Sequence, residues 1–192
     1  MSEINRISQD VGVRVILLCH AETKATASTT FPGDEPLTAR GRARAAELTA
    51  PRAELLLHAP STQCRETAEA LGLDARAEPA LNGCDHGIWR GRAIDDVLST
   101  EHEALTRWLT DPSAAPHGGE PVTGLIKRAG AWLDGLDRVN SVLAIAEQSF
   151  IRAALVHAID AKPSCYWRID IAPLERVVLT GRIGRWHLRV GA

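Results

Sequence analysis

His20 follows the apolar run VRVILLC (13–19), and Glu147 follows a second one, SVLAIA (141–146). A carboxylate beside an imidazole raises the imidazole pKa and orients its tautomer. Such a pair transfers protons in dehydration, cyclisation or hydrolysis, and a neutral imidazole can also attack as a nucleophile. A third apolar run, AELLLHA (53–59), ends at Ala59-Pro60. Runs this short and this apolar read as strands buried on both faces. Ligands in open α/β sheets bind beyond the carboxyl ends of the strands, so the loops after these three runs should converge.

Helical patterns separate the strands. Thr38 is an N-cap for the Ala- and Arg-rich TARGRARAAELTA, after a polar loop over 21–36. Pro60 and Ser61 open a helix over STQCRETAEALG, closed by Gly72, and a short extended piece follows near 75–80. LNGCDHGIWRGR (81–92) reads as a loop, and helices fit 100–109, 119–136 and 148–159. The tail, from Cys165 onward, reads as two or three strands with a Gly-containing turn. This alternation predicts an α/β fold, a three-layer α/β/α sandwich on a mostly parallel central sheet. Residues 1–12 read as a loose, flexible leader before a single domain over 13–192.

Composition removes several function classes. The 192 residues carry 45% hydrophobic and 24% charged side chains and a net charge of −2, with both signs mixed along the chain. Nucleic-acid binding would show as a basic face or tail, so no nucleic-acid partner is expected. No apolar stretch nears the roughly 20 residues of a membrane span, and the N-terminus is too polar for a signal peptide. No membrane partner is therefore expected, and a cytoplasmic location is the default. The four cysteines are scattered, with no CxxC pair. No Gly-rich nucleotide loop is present and no spacing predicts a metal, so the expectation is neither cofactor nor metal.

Six segments in order carry a resemblance. LLCHAET is similar to an apolar strand followed by Arg-His-Gly-Glu, and PLTARGRARAAEL to Pro-Leu-Thr-x-x-Gly-x-x-Gln-Ala. APSTQCRETAEALGL looks like Ser-Pro-x-x-Arg-x-x-Gln-Thr-Ala, and LNGCDHGIWRGR like Leu-x-Glu-x-Asp-x-Gly-x-Trp-x-Gly. HGGEP resembles Gly-Gly-Glu-Ser, and VLAIAEQSFIRAAL resembles Val-x-x-Val-x-His-x-x-x-Ile-Arg. Together they resemble the histidine phosphatase superfamily, the phosphoglycerate mutase-like fold, from residue 13 onward.

The resemblance implies a histidine that attacks phosphorus, two arginines and a second histidine that hold the phosphoryl oxygens, and an acid that protonates the leaving oxygen. His20 matches the nucleophile. The arginine before it corresponds to Cys19, and the helix arginine to Gln63. The second histidine falls on Glu147 and the acid on Gly83, with Asp85 two residues away as a substitute. Arg65 does not replace Gln63, because two residues along a helix is a rotation of about 200°. Each charge-assisted hydrogen bond contributes roughly 1.5–3 kcal/mol, so two lost arginines remove on the order of 3–6 kcal/mol of phosphate binding.

The expectation is therefore a repurposed enzyme in which His20 and Glu147 do acid–base chemistry on a non-phosphorylated small molecule. Cys19, Glu22, Gln63, Asp85, His86, Trp89, Glu120 and Gln148 are expected to line the same mouth, and Glu120 beside Glu147 would push one carboxyl pKa upward. A catalytically silent pseudophosphatase that binds a partner or metabolite is the alternative. A weak phosphomonoesterase working through a phosphorylated His20 is the next. The tail strands and the helix near 149–159 offer a surface for a possible homodimer.

Overall fold

The computed structural model describes residues 12–136 and 139–190. The leader expected over 1–12 lies outside the described residues, apart from Gly12. The strands are β1 (Val13–Cys19), β2 (Leu55–His58), β3 (Arg76–Ala77), β4 (Ser141–Ala146), β5 (Arg176–Arg182) and β6 (Arg185–Arg189). They form one six-stranded sheet in the order β3-β2-β4-β1-β5-β6. β1 to β4 run parallel, and β5 and β6 add an antiparallel edge.

The helices are α1 (Lys24–Ser28), α2 (Ala39–Ala46), α3 (Thr62–Ala70), α4 (Ile94–Thr100), α5 (His102–Thr110), α6 (Val122–Asp134) and α7 (Gln148–Ala158). α2 packs on α3, which covers β2 and β4, while α6 packs on α7, which covers β1 and β6. In β1 only Arg14 is exposed, and in β4 every residue after Ser141 is buried. Both faces of these strands are covered, which is why they are apolar throughout rather than alternating. Each fully buried Val, Leu or Ile contributes about 1.5–3 kcal/mol.

Register brings the site together. Cys19 pairs with Ala146, and His58 pairs with Ile145. The three central strands therefore end level, and His20, Ala59 and Glu147 leave the sheet side by side. The ladder runs one residue further, with the His20 amide donating to Ala146 O (3.1 Å) and the Ala59 amide to Ile145 O (2.8 Å).

Local departures from the expected elements have plain causes. The loop over 21–36 contains α1, capped by Thr23 and Thr26 in a reciprocal box. The helix expected over 100–109 is preceded by α4, the two separated at Glu101 where the backbone turns out of helical geometry (φ −138°, ψ 41°). α6 starts at Val122, not 119, because Pro121 sits at its N-cap. Gly72 takes φ +68° just beyond α3, the left-handed stop its position predicts. The tail holds a 3₁₀ turn at Pro163–Arg168 and then β5 and β6. Beside the main core a smaller one forms from Phe31, Trp89, Val97, Leu105 and Trp108.

Candidate active site

A cavity of about 270 Å³ opens at the carboxyl ends of β1 and β4, lined among others by His20, Glu147, Gln148, Arg152, His86 and Trp108. His20 is 3% exposed, and its Nδ1 lies 2.7 Å from Ala21 O. A carbonyl only accepts, so Nδ1 carries the hydrogen and the lone pair of the neutral ring sits on Nε2. Burial pulls the His20 pKa below its ordinary value, which keeps the ring neutral.

The residue whose carbonyl fixes this tautomer is itself anchored, through the peptide that precedes it. The Ala21 amide donates to Thr67 Oγ1 (2.9 Å), and that hydroxyl donates to Gln63 O (2.7 Å) within α3. Thr67 is fully buried. The Leu174 amide reaches Cys19 O and His20 O from the other side (3.2 and 3.3 Å).

Glu147 is the N-cap residue of α7, but its side chain makes no capping hydrogen bond. The N–H groups of the first turn are therefore not capped by that side chain, and Gln148 and Ser149 both line the cavity. Burial raises the Glu147 pKa above the ordinary carboxyl value, against the opposing pull of the Ser61 hydroxyl and of Arg90. The carboxyl is thereby biased toward its protonated, donor form. A Cβ placed on Gly83 would collide with Glu147 Oε2 and with Ser149 Oγ. The Glu147 carboxyl thus fills the space that a side chain at position 83 would need. A second, more polar cavity of about 410 Å³ lies on its other side, between Asp34, Ser61, Asn82, Asp85 and Arg90, and Glu147 and Pro32 line both.

Of the residues expected at the mouth, the structure brings His20, His86, Glu147 and Gln148 to the first cavity and Asp85 to the second. Asp85 accepts from the Gly87 amide (3.0 Å) and faces Arg90 (3.7 Å). The other expected residues line neither of these two cavities. Cys19 is sealed in the core, its thiol pushed up by burial. Gln63 points at the loop before α2, accepting from the Glu35 amide and donating to Gly33 O. Glu22 accepts from the Thr38 hydroxyl at the start of α2. Glu120 is held by Arg128 (2.8 Å). Trp89 is fully buried, and its indole N–H donates to Glu101.

Arg152 is the residue that sequence reasoning missed. It sits four residues after Gln148, hence on the same face of α7. That spacing was the available signal. Its Nη2 is 3.7 Å from the exposed Asp170, its guanidinium lies 5.9 Å from the Tyr166 ring centroid, and its buried Nε has no partner. Phe31, Thr26 and Thr30 line the cavity from the segment read as a plain loop. Among the described residues no group of three or more His, Cys, Asp or Glu is placed to hold a metal ion, and no helix is long and apolar enough to cross a membrane.

Comparison with known proteins bears on the fold and the family. The family model for the histidine phosphatase superfamily (branch 1) matches residues 15–191. Phosphoserine phosphatase 1 of Hydrogenobacter thermophilus is 24% identical over 169 residues, covering 81% of this chain and 80% of that protein. A bifunctional protein of Mycobacterium tuberculosis is 27% identical over 181 residues, and the chain spans only 49% of its length. Among solved structures, a mycobacterial glucosyl-3-phosphoglycerate phosphatase in complex with VO3 superposes with a TM-score of 0.81 at 23% identity, covering 93% of this chain and 98% of that one. A putative alpha-ribazole-5'-P phosphatase of Escherichia coli gives 0.80 at 22% identity, covering 93% and 95%. At such identities the likeness is one of fold.

Proposed function

The chain belongs to the histidine phosphatase superfamily, branch 1, and from that premise we propose that it hydrolyses a small phosphomonoester through His20. The observation that carries this reading is the commitment of His20 Nδ1–H to Ala21 O, which leaves Nε2 as a bare lone pair in a cavity that also holds Arg152 and the start of α7. Nε2 attacks phosphorus and the ester P–O bond breaks. The leaving oxygen takes its proton from Glu147. Water then attacks the phosphohistidine, Glu147 takes back a proton, and the P–N bond breaks to release phosphate and restore His20. Arg152 and the uncapped first-turn N–H groups of α7 favour the anion. Glu147 supplies the proton from α7 that the family resemblance expects from position 83. The phosphatase names of the relatives support the same reaction class.

The test is phosphoenzyme trapping together with turnover of two esters. Wild type should form an acid-labile phosphoprotein, and His20→Ala should not. Glu147→Gln should barely slow formation of the phosphoenzyme from p-nitrophenyl phosphate, whose leaving group needs no proton, and should slow its formation from an alkyl phosphate by roughly 10²–10³. Turnover that survives His20→Ala would overturn the reading.

A second reading keeps His20 as base and Glu147 as acid on a non-phosphorylated molecule. Its support is the fate of Cys19 and Gln63: neither is at the cavity, and Arg152 is the cationic side chain among its described lining residues. It is favoured if vanadate and phosphate leave the melting temperature unchanged and no phosphoenzyme forms.

A further inference from the structure

A second charged place lies at the opposite end of the sheet from His20. β5 and β6 form a hairpin in which Thr180 stands opposite His187 and Arg182 opposite Arg185. Arg14 of β1 stands opposite Thr180 on its other side. Residues directly opposite each other share a face of the sheet, and so do residues two apart along a strand. Arg14, Thr180, Arg182, Arg185, His187 and Arg189 therefore belong to one face. The other face is the covered one. Trp186 is buried there, its indole N–H donating to Asp134 of α6 (2.9 Å).

A cavity of about 400 Å³ opens on the first face, lined by the hairpin residues of that set together with Gly12 and Gly181. Its volume is in the range of small-molecule sites. Arg14, Arg185, His187 and Arg189 are all exposed, so a ligand can reach them. No carboxylate is among the described lining residues. Arg14, Arg185 and Arg189 form no ion pair among the described residues. A chain of net charge −2 thus gathers arginines and a histidine on one small face. Cations on an edge strand commonly guard it against pairing with another chain. That accounts for β6 but not for Arg14, which lies two strands inside the edge. A single phosphate would engage one or two guanidinium forks and leave the rest repelling one another. An anion with several phosphoryl groups engages them together.

We infer that this face is a second binding site, for an anion of two or more clustered phosphoryl groups, free or on a lipid headgroup, held by Arg185, His187 and Arg189 with Arg14 beside them. Arg14 lies about 20 Å from His20 at the rise of a strand, so this ligand is not the molecule that reacts at His20.

Tripolyphosphate and orthophosphate are titrated calorimetrically into wild type, Arg152→Ala and the double variant Arg185→Gln, Arg189→Gln. Both replaced side chains are exposed, so the double variant folds. Tripolyphosphate should bind about tenfold or more tighter than orthophosphate, lose about tenfold or more in the double variant, and keep its affinity in Arg152→Ala. That affinity should fall between about 50 and 200 mM salt. Turnover of p-nitrophenyl phosphate should be the same in the double variant as in wild type, so the site stands or falls apart from the proposed hydrolysis. Sedimentation with vesicles of cardiolipin, which carries two phosphoryl groups, separates the sources. Capture that needs the two arginines puts the ligand on a lipid, and tripolyphosphate binding without capture puts it in solution. Equal tripolyphosphate affinity of wild type and double variant, equal affinity for the two phosphates, or tighter binding of a single-stranded oligonucleotide through the same arginines overturns the inference.

Discussion

His20 is held in one tautomer by a relay that starts in another element. Thr67 anchors the His20–Ala21 peptide, and the Ala21 carbonyl, on the next peptide, accepts from Nδ1–H. Thr67→Val keeps the shape but leaves the Ala21 N–H unmatched, at a cost of about 1–3 kcal/mol. The expected outcome is a folded protein with kcat reduced roughly tenfold and KM little changed. Ring ¹⁵N shifts of His20 should show a growing Nε2–H form, and Thr67→Ser should restore wild-type behaviour. If kcat falls while the tautomer stays put, Thr67 acts only through stability. The two central groups also set a pH window. His20 must be neutral, so activity falls as pH drops through a pKa that burial has lowered below 6.5. Glu147 must be protonated, so activity on alkyl esters falls as pH rises through a pKa that burial has raised above 4.5. Rate–pH profiles should lose the upper limb, and only that limb, in Glu147→Gln.

At the scale of elements, the exchange between the 81–92 loop and the start of α7 decides where the acid comes from. Gly83 has no side chain, Glu147 fills the room, and the Cys84 amide donates to Ser149 Oγ (2.9 Å), tying loop to helix. Gly83→Ala should push Glu147 aside, destabilise the fold by about 1–3 kcal/mol through overpacking, and reduce alkyl-ester turnover as Glu147→Gln does. Unchanged turnover with the stability loss alone would show that the carboxyl has another route to the substrate. Element scale also marks where the sequence was legible. β1 and β4 were readable because burial on both faces demands unbroken apolar runs, and the convergence of the loops that follow them came from the sheet rule. The cap at Thr38 and the stop at Gly72 were readable because each has one dominant chemistry. The loop contributions were not. Thr26, Thr30 and Phe31 belong to a segment whose path is set by an isolated bridge from Thr30 to Ala93 and by the Phe31 amide bonding Arg92 O, contacts about 60 residues apart. Glu120 looked available from its type alone, while its partner Arg128 lies two turns along α6.

For the whole molecule, the histidines couple folding to pH. His20, His86 and His117 are buried and all have pKa values lowered chiefly by that burial. The unfolded chain therefore binds protons that the native state refuses, and stability falls as pH drops below about 6.5. For His86 the fall from 6.5 to about 4 amounts to on the order of 3 kcal/mol, at about 1.36 kcal/mol per unit. Glu147 works in the opposite sense, since its raised pKa makes the native state bind a proton the unfolded chain has lost, a gain that vanishes as pH rises through that pKa. Three histidines against one carboxyl should leave a net loss on acidification. Denaturant titrations at pH 7 and pH 4.5 should show ΔG lower at the acid end, with the difference reduced by about 2–3 kcal/mol in His86→Phe. Phenylalanine keeps a ring against Phe31 and Trp108 while removing the titrating nitrogens, so an unchanged difference would place the acid sensitivity outside this aromatic cluster.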